Sequence, residues 1–271
     1  MDSDTLTRRA PLRLAACSAF GHTDAGRVRR DNQDRFLIHA GLNLVAVADG
    51  MGGHAFGARA SATALECIAA ELAARPATHA SADDPDATVH DAPACAMRAA
   101  ADALDHANAT LHAMNQRERL TPQRSMGTTL TGIWQPPGSL QLISFHVGDS
   151  RLYRFRDGAL SQLSRDQTLY QQALERGAIE HLPPRNVLLQ ALGPLPSIAP
   201  VVQAHNWLPG DRYLLCSDGL HGEVSHREIE AVLKGVKPHG IDAACRHLIA
   251  LALDAGGKDN ITAVIVCFDG I

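Results

Sequence analysis

The chain has 271 residues, 45% hydrophobic and 20% charged, which suits one large packed domain or two small ones and leaves no room for global disorder. A formal net charge of −4, with basic residues scattered along the chain, argues against nucleic acid as the main partner. Aromatic residues, at 4%, are too few for a base-stacking platform.

Residues 1–11 read as a loose polar leader, and "LAAC" at residues 14–17 resembles a lipoprotein cleavage box. The apolar segment before that box is too short and Arg13 interrupts it, so no signal peptide is expected. Strand-like runs then recur with turn chemistry between them: "DRFLIHAG", "LNLVAVADG", "GTTLTGIW", "SLQLISFHVG", "SRLYRFRDG", "RYLLCSDG" and "NITAVIVCF". "WQPPGS" supplies a hairpin loop and Asp157-Gly158 another turn, so residues 128–163 are expected to form an antiparallel meander.

Helical stretches fall in two blocks. Residues 57–75 and roughly 93–117 form the first, separated by a Pro/Asp/Ala-rich surface insertion at 76–95. In the second, Ser225 and Glu228 form a capping box, and "IDAACRHLIALALDAGG" reads as a helix stopped by Gly256-Gly257. Strands and helix pairs segregated in this way predict an α+β domain of packed antiparallel sheets with helices outside. No run reaches the length of a membrane span.

The six cysteines form no C-x-x-C pair, and several lie inside apolar runs, which fits a reducing cytoplasm. The fourteen histidines include no H-E-x-x-H and no finger spacing, so zinc has little support. Carboxylates at the ends of apolar runs are more informative. "LVAVADG" delivers Asp49 into a glycine-rich bend, and "YLLCSDG" delivers Asp218 in the same way. Asp149 follows "SFHVG", Asp34 opens "DRFLI", and Asp259 precedes "NITAVIV". Each alone is an ordinary turn or cap residue. Gathered together they would repel one another unless cations such as Mg²⁺ or Mn²⁺ sat among them.

In order, these segments resemble the metal-dependent (PPM, type 2C) serine/threonine protein phosphatases of the bacterial type. The likeness is carried by "TDAGRVRRDNQDRFL", "VADGMGGH", "SMGTTL", "HVGDSRLYRF", "LLCSDGL" and "GGKDNITAVIV", over roughly residues 17–268. It implies a four-layer α-β-β-α sandwich, two antiparallel sheets flanked by helices, as a single domain over 12–271. It also implies two Mn²⁺ or Mg²⁺ ions that activate a water to attack phosphoserine or phosphothreonine.

Carried over by motif, Asp49 would bridge both ions and the Gly50 carbonyl would bind one of them. Asp218 and Asp259 would hold the other, and Asp34 would act directly or through water. Asp149 matches a ligand of a weaker third ion, and Arg29 matches the arginine that holds the substrate phosphate. No side-chain nucleophile is needed, so Cys216 is expected to be a packing residue.

Two positions depart from the pattern. Gln33 stands where many relatives have Glu, and Met51 where animal relatives carry a histidine proposed as general acid. His54 is offset and reads as structural, which leaves the general acid unassigned. Residues 164–193 resemble the flap beside the active site, although an ordinary surface helix and loop would have the same composition.

The expected partners are phosphoproteins and a cognate serine/threonine kinase; the expected state is a cytoplasmic monomer without nucleic acid, membrane or an appended domain. An inactive binding module is disfavoured by the complete ligand set. A phosphomonoesterase for small molecules stays open.

Overall fold

The computed structural model describes residues 11–53, 55–75, 92–121 and 125–269. His54, the leader up to residue 10, and residues 76–91 of the expected insertion lie outside them. Two antiparallel sheets form the centre. The larger has the order β1 (Leu12–Arg13), β2 (Cys17–Asp24), β13 (Ile261–Phe268), β12 (Arg212–Cys216), β9 (Arg151–Arg156) and β10 (Ala159–Gln162). The smaller has the order β11 (Val201–Asn206), β8 (Gln141–Val147), β7 (Leu130–Trp134), β4 (Leu44–Ala48) and β3 (Arg35–His39). A two-residue ladder joins β5 (Gly50–Met51) to β6 (Gly127–Thr128) beside them.

Side-chain alternation explains why two sheets of this composition stack. Val45 and Val47 of β4 point between the sheets, where they meet Tyr213, Leu215, Val264 and Val266 of the other sheet. Leu44, Ala46 and Ala48 of the same strand point outward onto α1 (Phe56–Ala74) and α2 (Ala92–Arg117). On the far side Leu214, Cys216, Ala263 and Ile265 pack against α5 (His226–Gly235) and α6 (Ile241–Asp254). A strand covered on both faces takes a polar residue only where a partner satisfies it, as Asp34 does Thr262. This is why "LVAVA", and "AVIVCF" after Thr262, read as continuous apolar runs rather than as alternating ones. The result is the α-β-β-α layering implied by the resemblance. Among the described residues no helix is long and apolar enough to cross a membrane.

Three local expectations are corrected. The meander over 128–163 is broken: β7–β8 belongs to the smaller sheet and β9–β10 to the larger. Each hairpin carries the apolar face of a different helix layer, with Ile143 and Phe145 toward α2 and Tyr153 and Phe155 toward α5, so one continuous sheet could not serve both. The crossover takes place at Gly148, whose φ of 106° no other residue type adopts readily. Secondly, "GTTLTGIW" is split at Thr129 between β6 and β7. Thirdly, β2 and β11 are strands that the apolar pattern does not reveal. In β2, Gly21 leaves the space that the Phe36 ring fills, and pairing with β13 along the whole strand supplies what propensity lacks.

Candidate active site

Asp49 leaves the end of β4 with its backbone already committed. Its N–H donates to Thr129 Oγ1 at 3.0 Å, and its carbonyl accepts from Thr129 N–H and Thr128 Oγ1, both at 2.9 Å. The chain then runs tight against α1, and a Cβ on Gly50 would collide with the Gly57 carbonyl oxygen. That close approach is the reason for glycine after the aspartate. Asp218 opens α4 (Asp218–His221) directly after β12. Asp259 enters from the Gly256-Gly257 bend, both glycines at positive φ, immediately before β13. Asp149 occupies the crossover between the sheets, where His221 Nε2 lies 3.0 Å from its carbonyl oxygen.

These four carboxylates line one cavity of about 380 Å³, together with Arg29, Gln33, the Gly50 bend and Met51. Asn186 and Leu188, from the 164–193 segment, contribute to the same wall. Asp34 lies behind the cavity rather than on it. It is fully buried, and its Oδ2 accepts hydrogen bonds from Ser217 Oγ and Thr262 Oγ1, each at 2.7 Å. Its Oδ1 has no protein partner, and neither has Asp218 Oδ1. A more voluminous groove, about 570 Å³, lies between α5 and α6. Its lining of Ala231, Val232, Val236 and Ala244 offers no carboxylate and no convergent chemistry.

The electrostatics are those of crowded anions. Burial first, and then the charges of Asp34, Asp218, Asp149 and Asp259, push the Asp49 carboxyl well above its ordinary range. Burial raises Asp34 to about 6 and Asp149 to about 7, with Asp218 adding to both. Asp218 is raised as well, by burial and then by Asp259. Among the described residues the one opposing charge in direct contact with the four cavity carboxylates is Arg29, whose Nη2 lies 2.8 Å from Asp259 Oδ2. Among the described residues no three of these groups close into a preformed metal cage. The donor set nevertheless fits hard divalent cations: oxygen donors only, mutually repelling, with two buried oxygens unsatisfied. Among the described residues no histidine or cysteine lines the cavity, and oxygen donors of this kind favour a hard ion over a soft one.

The family model described as protein phosphatase 2C matches residues 21–243, which is most of the chain. The chain belongs to the protein phosphatase 2C family. PstP of Mycobacterium tuberculosis, a serine/threonine protein phosphatase, is 36% identical over 259 residues, covering 94% of this chain and 44% of that protein. The chain therefore spans less than half the length of that relative. Protein phosphatase PhpP of Streptococcus pneumoniae is 32% identical over 252 residues, covering 90% of this chain and 94% of that protein. A crystal structure of the PstP catalytic domain in complex with two manganese ions matches with a TM-score of 0.73 at 33% identity, covering 92% of this chain and 96% of that one.

Within this phosphatase 2C fold, the residues that sequence reasoning missed are those that hold the aspartates. Asn260 donates to the carbonyls of Ala25 and Asp31, both at 3.0 Å, and accepts the Gln33 N–H at 2.8 Å, which ties the Arg29 loop to the start of β13. Thr128, Thr129, Ser217 and Thr262 do the same for Asp49 and Asp34. The signal for Asn260 and the two threonines is present in the sequence, since they lie inside "GGKDNITAVIV" and "SMGTTL". Cys216 is wholly buried in the helix-facing layer and burial pushes its thiol up to about 12, as a packing residue requires.

Proposed function

We propose that this chain hydrolyses phosphoserine and phosphothreonine in proteins, at the cavity between the two sheets, with two divalent cations, Mn²⁺ or Mg²⁺. The supporting observation is the meeting of Asp49, Asp218 and Asp259 from three distant parts of the chain on one cavity that also holds Arg29. In this reading Asp49, the Gly50 carbonyl, Asp218 and Asp259 are the ligands. Asp34 serves from behind Asp49, directly or through water, and Asp149 serves a weaker third ion. Bound there, such cations neutralise phosphoryl charge and bring the pKa of water toward neutrality.

The chain's own part is positioning. The threonine hydroxyls and backbone groups around Asp49, and the two hydroxyls on Asp34, hold the carboxylates in place before any ligand arrives. Arg29 presents a planar fork to two phosphate oxygens at the mouth of the cavity. Met51 and Leu188 give the same space an apolar stretch of wall. A side-chain nucleophile is not required, and Cys216, buried and protonated, is not one. Residues 164–193 act as the flap that meets substrate, within a single domain over 12–271. A serine/threonine kinase supplies the phosphoproteins.

Turnover of a phosphothreonine peptide with and without Mn²⁺ tests this reading. Mn²⁺-dependent hydrolysis is expected to survive Cys216→Ala and to fall at least about a hundredfold in Asp49→Asn and Asp218→Asn. Retained activity in either Asn variant, or turnover of sugar phosphates in preference to phosphopeptide, would overturn it.

A further inference from the structure

The cavity contains an ion pair within its own acidic wall. Arg29 Nη2 donates to Asp259 Oδ2 at 2.8 Å, while Asp259 Oδ1 accepts the Asn260 backbone N–H at 2.9 Å. Both carboxylate oxygens are thus engaged by the protein, and the guanidinium spends one arm on a carboxylate. Its neighbour Arg30 lines the same cavity, yet among the described residues it forms no ion pair. A guanidinium fork satisfies one planar anion well, so a carboxylate and a phosphate compete for it. A cation at Asp259 competes for the oxygen that Arg29 holds. Arg29 and Asp259 are both partly open to solvent, which keeps the pair weak enough to exchange.

We infer that Arg29 and Asp259 form a latch that couples the two ligand classes of this site. A divalent cation that takes Asp259 releases Arg29 to a phosphate monoester, and a phosphate that takes Arg29 releases Asp259 to a cation. Linkage makes the coupling reciprocal: whatever factor the cation contributes to phosphate affinity, phosphate contributes to cation affinity. The latch rests on the reading of this cavity as a phosphatase site. It adds to it a specific role for one ion pair, in which the phosphate-binding residue also gates a cation ligand.

Plain charge repulsion is the rival explanation for any effect of Arg29 on cation binding. It predicts that Arg29 and Arg30, both on the cavity, act alike. The latch predicts that Arg29 acts alone and only through Asp259. The test is calorimetric titration of the chelator-stripped full chain with Mn²⁺ at fixed ionic strength. Arg29→Ala is expected to tighten Mn²⁺ binding roughly two- to fivefold, the scale of a half-exposed ion pair. Arg30→Ala is expected to leave it unchanged, and in the Asp259→Asn background Arg29→Ala is expected to add nothing. The latch is overturned by unchanged or weaker binding in Arg29→Ala, by an equal gain in Arg30→Ala, or by a gain that persists without Asp259. If Asp49→Asn abolishes turnover while Arg29→Ala leaves Mn²⁺ affinity unchanged, the latch falls and the phosphatase reading stands. A wild-type chain that takes up no Mn²⁺ overturns both.

Discussion

At the scale of single residues, the buried polar groups around the two sheets differ in what they respond to. Asp34 keeps one oxygen for Ser217 and Thr262 and one without a protein partner, a choice that suits a carboxylate shared with a ligand. His146 is different. It is 4% exposed, lies between Thr131 Oγ1 at 2.8 Å and the Arg165 carbonyl at 3.0 Å, and burial lowers its pKa from 6.5 to about 4. A base with a depressed folded pKa contributes nothing above its unfolded value. As the pH falls from 6.5 to about 4, the unfolded chain takes up the proton first and stability is lost. Urea unfolding of wild type and His146→Gln between pH 7.5 and 4 checks this, at roughly one-unit steps. The variant is expected to be less stable at neutral pH by a constant offset, with the gap closing by up to about 3 kcal/mol on acidification. A gap independent of pH would show that the imidazole does not titrate in this way.

Among the elements, legibility follows how local the cause is. The box at the start of α5 was readable because four consecutive residues make it: Ser225 Oγ accepts the Glu228 N–H at 3.3 Å and Glu228 Oε2 accepts the Ser225 N–H at 2.9 Å. Ser225→Ala is expected to lower the unfolding free energy measured in urea by about 1 kcal/mol while leaving turnover unchanged, and a cost near zero would mean that packing of Ile229 and Leu233 alone fixes the helix start. Gly256-Gly257 was readable as the stop of α6 for the same local reason. By contrast, β2 exists because β13 lies beside it over eight residue pairs, and nothing within "CSAFGHTD" announces that partner. The expected meander failed likewise. Turn chemistry at Gly148-Asp149 marks a change of direction, but not whether the next strand stays in the same sheet. The split of the "GTTL" run at Thr129 is also tertiary in origin, since Thr129 Oγ1 serves both Asp49 N–H and Ser150 Oγ.

On the scale of the whole molecule, the site is a consequence of the stacking of the sheets. β4 belongs to one sheet and β12 and β13 to the other, and their ends bring Asp49, Asp218 and Asp259 to a common cavity across the inter-sheet core. Spacing in the sequence marked each of these as a carboxylate at a strand end. It could not show that the ends converge, because convergence depends on which strands share a sheet. The motif series named candidates across that gap; in the structure Asp49, Asp149, Asp218, Asp259 and Arg29 line one cavity, and Asp34 is buried behind it. Thr262 and Ser217 escape a sequence reading because a hydroxyl that orients another side chain leaves no periodic or compositional trace, whereas Asn260 lies inside a motif that does not state its role.

The most direct measurement is anomalous diffraction at the manganese edge from crystals of the full chain grown with Mn²⁺. Two peaks within carboxylate reach of Asp49, with Asp218 and Asp259 around one of them, are expected, and both are expected to vanish in Asp49→Asn. Manganese bound elsewhere on the surface with none in this cavity would contradict the assignment.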